Sequence, residues 1–314
     1  MPRFVYITDV HVRSTTPVRR KDDFLCAVRD KLNEVVDYCN AEGVDALLIG
    51  GDLYDSYSPS PSSILCVMET LGRLKCPAYS ILGNHEMLGH QKESFRDRMI
   101  GVLHRFRNDY PVQLLEGHWN SPSLTVKDVP VWAMHYEHGI EERLKSLEFA
   151  DVKPGILMAH ANIVKSPAVF PDHVLYTDVK SPASVILCSH YHKKQGVESV
   201  GPYMFVSCGA LSRGTVSMDD LTRTPAFAVI EVDDFHGATA HIVDLKCAKP
   251  AEEVFDLDSV REEIERDNRL SEFIDQIRMS GVLSDIESIS SLVMTAEGVE
   301  EEVKNKALEV LSRV

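Results

Sequence analysis

Residues 4–11 read FVYITDVH, a short apolar run that leads directly into an aspartate and a histidine. A run of this length bounded by polar residues is typical of a buried strand. The pattern recurs four more times along the chain, where apolar runs stop just before Asp52, Asn84, His160 and His190. In open sheets built from such strands, ligands gather at the carboxyl ends of the strands. The sequence therefore predicts that five distant segments deliver Asp, Asn and His side chains to one edge of the fold.

These segments carry seven side chains with oxygen or nitrogen donors, namely Asp9, His11, Asp52, Asn84, His160, His190 and His192. Seven donors are too many for a single tetrahedral zinc ion, whereas they suffice for two ions if one carboxylate bridges them. A mixed oxygen and nitrogen set without cysteine favours manganese, iron or zinc over calcium. Two cations about 3.5–4 Å apart need an anion between them, and we predict that Asp52 is this bridge.

Simpler explanations exist for each motif taken alone. An isolated Asp-x-His pair or a single histidine such as His160 is usually a turn residue or a hydrogen-bonded core histidine. Five ordered sets at strand ends favour a metal site instead. Asp55 is a separate case, because its side chain is expected to close the turn that follows Asp52. His135 and His138 fit either a second layer around the site or the polar end of a strand.

In combination, the motifs resemble those of the calcineurin-like metallophosphoesterases: Asp-x-His, Gly-Asp-x-x-Asp, Gly-Asn-His-Asp/Glu, a lone His and Gly-His-x-His. Here they read DVH at 9–11, GDLYD at 51–55, GNHE at 83–86, His160, and SHYH at 189–192. Within that superfamily, residues 51–55 and the GALSRG segment at 209–214 are most similar to the SbcD and meiotic-recombination nucleases of DNA double-strand-break repair, a family with phage-type members. The resemblance spans residues 1 to about 215.

The resemblance implies an α/β fold, a mixed β-sandwich flanked by helices, with two divalent ions. Mn²⁺ is the expected metal, and iron or zinc are alternatives. One ion would be bound by Asp9, His11, Asp52 and His192, and the other by Asp52, Asn84, His160 and His190. His85 would serve the departing oxygen of the phosphate, and Glu86 would hold His85 in its charged, oriented form through a hydrogen bond. DNA and an SbcC-type SMC-like ATPase are the implied partners, and a homodimer is also compatible.

The net charge of −15 at first argues against a nucleic-acid substrate. Residues 251–314, however, hold 17 acidic and 7 basic side chains, so that most of the negative charge lies in this segment. Basic residues cluster beside the metal motifs, and from this set we predict substrate contacts for Arg13, Lys193 and Arg213. The alternative is that these positions, and others such as Arg96–Arg107, are solvated loops and helix faces.

Length and periodicity predict two parts, a phosphoesterase domain at residues 1–249 and an acidic helical C-terminal extension at residues 250–314. The first part begins as β-α-β-α-β with parallel strands, and its helices are expected at 22–42 and 61–74. Its second half is richer in strands and includes a pair at 226–232 and 238–245. The extension either docks a partner or caps the core.

The cysteines and the hydropathy of the chain indicate in which cellular compartment the protein is expected. The seven cysteines are scattered and form no Cys-x-x-Cys pair, which predicts reduced thiols in a reducing, cytoplasmic environment. No stretch approaches the ~18 apolar residues of a membrane span, and the N-terminal apolar run is too short for a signal sequence. We therefore expect no membrane association.

Three functions fit these observations to different degrees. The first is a two-metal phosphodiesterase, here a DNA exonuclease or endonuclease subunit of an SbcCD-like repair or recombination complex. The second is the same chemistry on a small substrate, such as a cyclic nucleotide, which would need a narrow apolar or aromatic pocket over the metals. The third is a non-catalytic scaffold, which the complete set of ligands opposes.

Overall fold

The computed structural model describes residues 1–87, 101, 103, 110–117, 120–149, 151–168, 172–214, 217–233, 237–258 and 304. The chain divides into two units, Met1–Val254 and Phe255–Val314. The helical extension predicted at 250–314 and the basic positions Arg96–Arg107 lie largely outside the described residues, and the domain boundary predicted at residue 249 stays a prediction.

The first half of the chain alternates strands and helices. Its elements are β1 (Arg3–Ile7), α1 (Phe24–Glu42), β2 (Ala46–Ile49), α2 (Pro61–Leu71), β3 (Ala78–Ser80) and β4 (Val112–Leu114). Strands β1 to β4 pair in parallel with one another, so the predicted β-α-β-α-β start is confirmed. Helix α2 ends at Leu71, three residues before the predicted end, because Gly72 forms its cap.

Capping residues explain where the two long helices begin and end. Asp23 precedes α1, and its side chain accepts a hydrogen bond from the Cys26 amide at 2.8 Å. Gly43 ends the helix in the left-handed conformation, with φ of 62°, and donates its amide to the Cys39 carbonyl. Ser60 caps α2 in the same way as Asp23 caps α1, and Pro61 occupies the first helical position.

The second half is dominated by strands. Its elements are β5 (Leu124–Val126), β6 (Val129–Met134), α3 (Ile140–Ser146), β7 (Lys153–Ala159), β8 (Ile163–Val164), β9 (Val174–Leu175), β10 (Ala183–Cys188), β11 (Gly196–Val200), β12 (Tyr203–Ser207), α4 (Met218–Thr222), β13 (Ala226–Asp233), β14 (Gly237–Asp244) and α5 (Ala251–Val254).

Two predictions about these strands have different outcomes. The antiparallel pair β13–β14 is confirmed, with Phe227 opposite Val243 in the register. The sequence also predicts strands over 124–134 with a break at 127–130. This break is too long, because Pro130 lies inside β6 and pairs with Thr125. Only Lys127 and Asp128 form the turn, both with positive φ, which gives a tight hairpin between β5 and β6.

The strands form two six-stranded mixed sheets, in the orders β14-β13-β1-β2-β3-β4 and β11-β12-β10-β7-β6-β5. Successive side chains of β1 point to opposite faces of the first sheet. Phe4 and Tyr6 pack with residues of the second sheet, such as Met158, in the layer between the sheets. Val5 and Ile7 face the opposite way and pack with the α1 core. The buried side chains of α3 cover the outer face of the second sheet. The predicted mixed β-sandwich flanked by helices is therefore confirmed.

Candidate metal centre

The predicted ligands follow the carboxyl ends of parallel strands in both sheets. Asp9 follows β1, Asp52 follows β2, Asn84 follows β3, His160 follows β7 and His190 follows β10. Because β1, β2 and β3 run parallel in one sheet, and β7 and β10 run parallel in the other, each set of ends meets at one edge of its sheet. This is the arrangement that the apolar runs of the sequence predict.

Several of these residues have an unfavourable backbone conformation. Asp9, His11, Asp52 and His190 have φ values of 50°, 49°, 48° and 67°, in the left-handed region that side chains with a Cβ rarely occupy. Hydrogen bonds across the site hold these turns, for example from the His11 amide to the Asp52 carbonyl at 2.9 Å. Strain of this kind, about 1–3 kcal/mol per residue, is common at functional sites and here fixes the directions of the side chains.

Gly51 and Gly83 permit the close approach of the loops. A Cβ on Gly51, which has φ of 93°, would lie 2.6 Å from His160 Nδ1. A Cβ on Gly83 would lie 2.0 Å from Asp52 Oδ1. Any larger residue at either position would therefore displace a predicted ligand.

The first cluster contains Asp9, His11 and His192, whose donor atoms lie within 4.8 Å of one another. His192 Nε2 lies 3.5 Å from Asp9 Oδ1 and 3.2 Å from His11 Nε2. His11 Nε2 is also 3.9 Å from Asp52 Oδ2, so that Asp52 adjoins this cluster. The four ligands that the resemblance implies for one ion are thus brought together.

The second cluster contains Asp52, His160 and His190. His160 Nε2 lies 3.4 Å from Asp52 Oδ2 and 3.2 Å from Asn84 Oδ1. His160 Nδ1 is 2.7 Å from the Gly50 carbonyl oxygen, which can only accept a hydrogen bond, so Nδ1 carries the proton and Nε2 is available as the ligand atom. The Asp52 carboxylate belongs to this cluster and adjoins the first one, which agrees with the predicted bridge.

Unsatisfied oxygen atoms show that the clusters fit a cation. Among the described residues, Asp9 Oδ1 and Asp52 Oδ2 are buried and have no hydrogen-bond partner. A buried carboxylate oxygen without a partner is strongly unfavourable, and a divalent cation would satisfy both atoms. The clustered Asp and His groups are therefore compatible with a divalent metal site.

The electrostatics of the clusters favour ionised carboxylates. Burial opposes ionisation of Asp52, but the neighbouring His160 and His11 lower its pKa to about 2. The pKa of Asp9 is likewise lowered, because contact with His192 outweighs burial. Both carboxylates are thus negatively charged near neutral pH, as metal binding requires.

His85 lies at the open side of the site. Its side chain is 40% exposed, its backbone amide donates to Asp52 Oδ1 at 2.9 Å, and its ring meets the His11 ring edge-on at 4.7 Å. His85 Nδ1 donates to the Asp55 carbonyl oxygen at 3.2 Å. His11, Asp52 and His85 also form a third group close enough to hold a metal, so the role of His85 at the phosphate stays a prediction.

The role predicted for Glu86 is wrong. Glu86 is buried, and its carboxylate accepts hydrogen bonds from the backbone amides of Leu53, Tyr54 and Gly83 at 2.9, 3.3 and 2.9 Å. Its side chain makes no hydrogen bond to His85 in the described part of the chain. The sequence does not reveal this, because the adjacent residues have different surroundings: His85 is exposed, whereas Glu86 is buried. Glu86 instead joins the loops that carry Asp52 and Asn84.

Asp55 is the carboxylate that faces the histidines. Its Oδ1 lies 3.2 Å from His11 Nδ1 and 3.7 Å from His85 Nδ1, and its Oδ2 accepts a hydrogen bond from Arg13 at 2.9 Å. The prediction that this side chain only closes its own turn is therefore wrong. Asp55 belongs to the Gly-Asp-x-x-Asp motif, and its place there was the sequence signal for a role in the site.

We expect Glu86→Ala to lower the free energy of unfolding by about 2–4 kcal/mol, because the three buried amides lose their acceptor. Urea denaturation of the chelator-treated protein measures this effect without a contribution from metal binding. The control is Glu137→Ala, which removes a surface ion pair with Arg143 and should change stability by less than about 1 kcal/mol. Equal stability of Glu86→Ala and the wild type would contradict the backbone role.

The three predicted substrate contacts differ in position. Arg13 is half-buried, pairs with Asp55 and lies over the Phe24 ring. Lys193 is exposed and directly follows the predicted ligand His192. Arg213 is buried and donates to the Lys249 carbonyl, in a cavity whose lining contains none of the predicted metal ligands. The structure therefore places Arg13 beside the site through Asp55, whereas the Arg213 guanidinium lies elsewhere. The substrate contact predicted for Lys193 stays a prediction.

Two residues beside the clusters extend the site. His135 is buried and accepts a hydrogen bond from the Leu82 amide at 3.0 Å, which fits the second-layer interpretation, while His138 is exposed. The Tyr136 ring lies 5.3 Å from the His190 ring and was not predicted. Its position just after β6 follows the same strand-end pattern as the ligands.

A two-sheet α/β fold that gathers Asp and His clusters at its strand ends has the features of the metal-dependent phosphoesterases. The chain belongs to the calcineurin-like phosphoesterase family, whose model matches residues 2–194, so the predicted resemblance is confirmed at the level of the family.

Relatives with known names match a shorter segment. The DNA double-strand break repair protein Mre11 of Methanosarcina acetivorans is 35% identical over 89 residues, which is 27% of this chain and 14% of that protein. Mre11 of Saccharolobus solfataricus is 32% identical over 91 residues, which is 27% of this chain and 23% of that protein. The matches therefore span less than a quarter of either relative. They agree with the predicted resemblance to the recombination nucleases.

Solved structures are similar at low sequence identity. GAP50, described as the anchor in the inner membrane complex of Plasmodium, has a TM-score of 0.43 and 13% identity, with 79% of this chain and 85% of that chain covered. The protein TT1561 of Thermus thermophilus has a TM-score of 0.42 and 11% identity, with 77% of this chain and 98% of that chain covered.

Within the described residues, none of the helices has the length and apolar character needed to cross a membrane.

Proposed function

We propose that this protein is a two-metal phosphodiesterase that cleaves DNA. The observation that carries the proposal is the position of Asp52, whose buried Oδ2 lies 3.4 Å from His160 Nε2 and 3.9 Å from His11 Nε2. One carboxylate oxygen between two clusters is what a bridging ligand requires. Manganese, iron and zinc all suit the ligand set, and we propose manganese.

When bound, the two ions would supply an activated water and would neutralise the charge on the phosphate oxygens. The chain's own residues would then serve the leaving group. His85 is exposed beside the clusters and would donate a hydrogen bond or a proton to the departing oxygen. The Asp55 carbonyl accepts from His85 Nδ1, so Nε2 is the atom left to face the substrate. Asp55 is in turn held by Arg13.

Openness of the site supports a polymeric substrate. The side chains of His85 and His192 are 40% and 45% exposed, so the two clusters are accessible from solvent on this side. Lys193 follows His192 directly, is exposed, and adds positive charge beside it. The segment similarity to proteins named for DNA double-strand break repair favours DNA over other phosphodiesters.

A substrate panel with manganese tests the proposal. We expect cleavage of labelled single- or double-stranded DNA and of bis-p-nitrophenyl phosphate, with both activities lost in chelator and restored by manganese. Asp52→Asn, purified in parallel, controls for contaminating nucleases. Hydrolysis of the small diester or a cyclic nucleotide without DNA cleavage would indicate the small-substrate enzyme. No hydrolysis of any substrate would indicate a scaffold.

We further propose that residues 250–314 contribute to a contact with an SbcC-type ATPase in the cytoplasm. Residues 251–314 have 17 acidic and 7 basic side chains, and a segment so negative would repel the DNA backbone at low salt. All seven cysteines are free thiols, in agreement with a reducing compartment.

Deletion of residues 258–314 tests the role of the acidic segment. We expect the truncated protein to hydrolyse bis-p-nitrophenyl phosphate at a rate close to that of the full chain and to lose association with the ATPase in a pull-down assay. Circular dichroism would establish that the truncated protein is folded. A several-fold loss of DNA affinity by a folded truncation would contradict the electrostatic argument.

A further inference from the structure

A cavity with several charged residues in its lining lies beside the N-terminal half of α1. Its volume is about 260 Å³, and four basic residues are among its lining: Arg20, Lys31, Arg213 and Lys249. None of the predicted metal ligands lines it. The volume is several times the share of about 30 Å³ that one water molecule occupies in the liquid, so a small polyatomic ion would fit.

Lys31 is a buried lysine in the lining of this cavity. It lies in the middle of α1, is 4% exposed, and is flanked along the helix by the buried Val28, Leu32 and Val35. Within the described part of the chain, no hydrogen bond or ion pair involves its ammonium group. Burial of an unpartnered ammonium is strongly destabilising, so this position favours an anionic ligand that the ammonium can bind.

The neighbouring guanidinium groups are fixed in place around Lys31. Arg20 makes two hydrogen bonds to the Asp22 carboxylate, at 2.8 and 2.7 Å, donates to the Arg213 carbonyl, and lies over the Phe24 ring. Arg213 donates to the Lys249 carbonyl. The basic side chains are therefore held by the fold, as a preformed binding site requires.

The carboxylates of the lining do not neutralise Lys31. Asp22 uses both oxygens for Arg20, Asp23 caps α1, and Asp30 is exposed. Burial, followed by the positive charges of Arg20, Arg213 and Arg223, lowers the pKa of Lys31 to about 7. The potential at the ammonium is thus positive, and an anion placed there would relieve the repulsion between these cations.

We propose that this cavity binds a phosphate group, with the Lys31 ammonium as its direct partner and Arg20 and Arg213 as the surrounding positive charge. Guanidinium and ammonium groups together are the usual partners of a tetrahedral oxyanion. Inorganic phosphate and the phosphate of a mononucleotide share this chemistry. The site is separate from the metal centre, so its occupancy does not depend on the proposed nuclease activity.

Calorimetric titration of the full chain with inorganic phosphate tests the proposal. The titration is done in chelator, so that phosphate binding at the metal centre does not contribute. We expect saturable binding by the wild type and at least about tenfold weaker binding by Lys31→Met, because one hydrogen bond to a charged group is lost. Arg29→Gln is the matched control, since it removes a positive charge from the exposed face of the same helix and should leave the affinity unchanged.

Stability measurements accompany the titration. Lys31→Met should be at least as stable as the wild type in phosphate-free buffer, because it replaces a buried charge by an apolar chain of similar length. Phosphate should raise the Tm of the wild type but not of Lys31→Met. Lys31→Gln serves as a second variant if the Met variant does not fold.

A parallel titration with a deoxynucleoside monophosphate distinguishes the two sources of phosphate. Tighter binding of the nucleotide than of phosphate, with the same dependence on Lys31, identifies a nucleotide as the ligand. Binding of inorganic phosphate alone identifies the free ion. Equal binding by the wild type and Lys31→Met, or no saturable binding by the wild type, would overturn the proposal.

Discussion

Asp52→Asn is expected to release bound manganese and to slow phosphodiester hydrolysis about 10³-fold or more. Asp52 is buried, and its Oδ2 adjoins both clusters, so one substitution removes a negative charge that two ions would share. The amide has nearly the same volume as the carboxylate, so packing around the site should be retained. Metal content by mass spectrometry and initial rates on bis-p-nitrophenyl phosphate measure the two effects.

A control for the Asp52 substitution is available on the surface. Asp244→Asn makes the same chemical change at an exposed position of β14 whose only role in the described structure is an ion pair with Lys194. It should bind manganese and hydrolyse the substrate as the wild type does. An Asp52→Asn protein that retains both ions and its rate would show that Asp52 is not the bridge.

His85→Ala is expected to reduce the rate about 10²-fold or more while both metal ions and substrate affinity are retained. The side chain is exposed, and its Nδ1 proton is engaged by the Asp55 carbonyl, which leaves Nε2 for the departing oxygen. The effect should therefore appear in kcat rather than in KM. Steady-state kinetics distinguishes an effect on kcat from an effect on KM, and metal analysis of the same preparation shows whether both ions are retained.

The matched control for His85 is His241→Ala, at an exposed position on β14. Its kcat should equal that of the wild type. Loss of one metal ion from His85→Ala would assign His85 to the third group of His11, Asp52 and His85 as a ligand. The leaving-group role would then be wrong.

Much of the fold and the assembly of the site followed from periodicity. Apolar runs ending at Asp9, Asp52, Asn84, His160 and His190 predict strands whose carboxyl ends converge, because parallel strands present those ends at one edge. The structure places all five residues just after the ends of such strands. The pattern succeeds because strand burial is encoded in local apolar runs, and because the helices α1 and α2 between β1, β2 and β3 connect these strands in parallel.

Side-chain direction within turns could not be predicted in the same way. Glu86 follows His85 in sequence, yet it accepts hydrogen bonds from the amides of Leu53, Tyr54 and Gly83, while Asp55 faces His85. Arg213 belongs to a segment that suggested substrate contact, but its guanidinium turns to Lys249. These outcomes depend on backbone dihedral angles and on contacts between loops distant in sequence, which no local pattern contains.

A manganese titration with simultaneous measurement of DNA cleavage tests the central claim, a two-metal site bridged by Asp52, most directly. Metal-free protein is titrated with manganese, and bound metal and cleavage of labelled DNA are followed at each addition. We predict two bound ions per chain, with cleavage that rises only as the second ion binds. Full cleavage with one bound ion, or two bound ions without cleavage of any phosphodiester, would contradict this account.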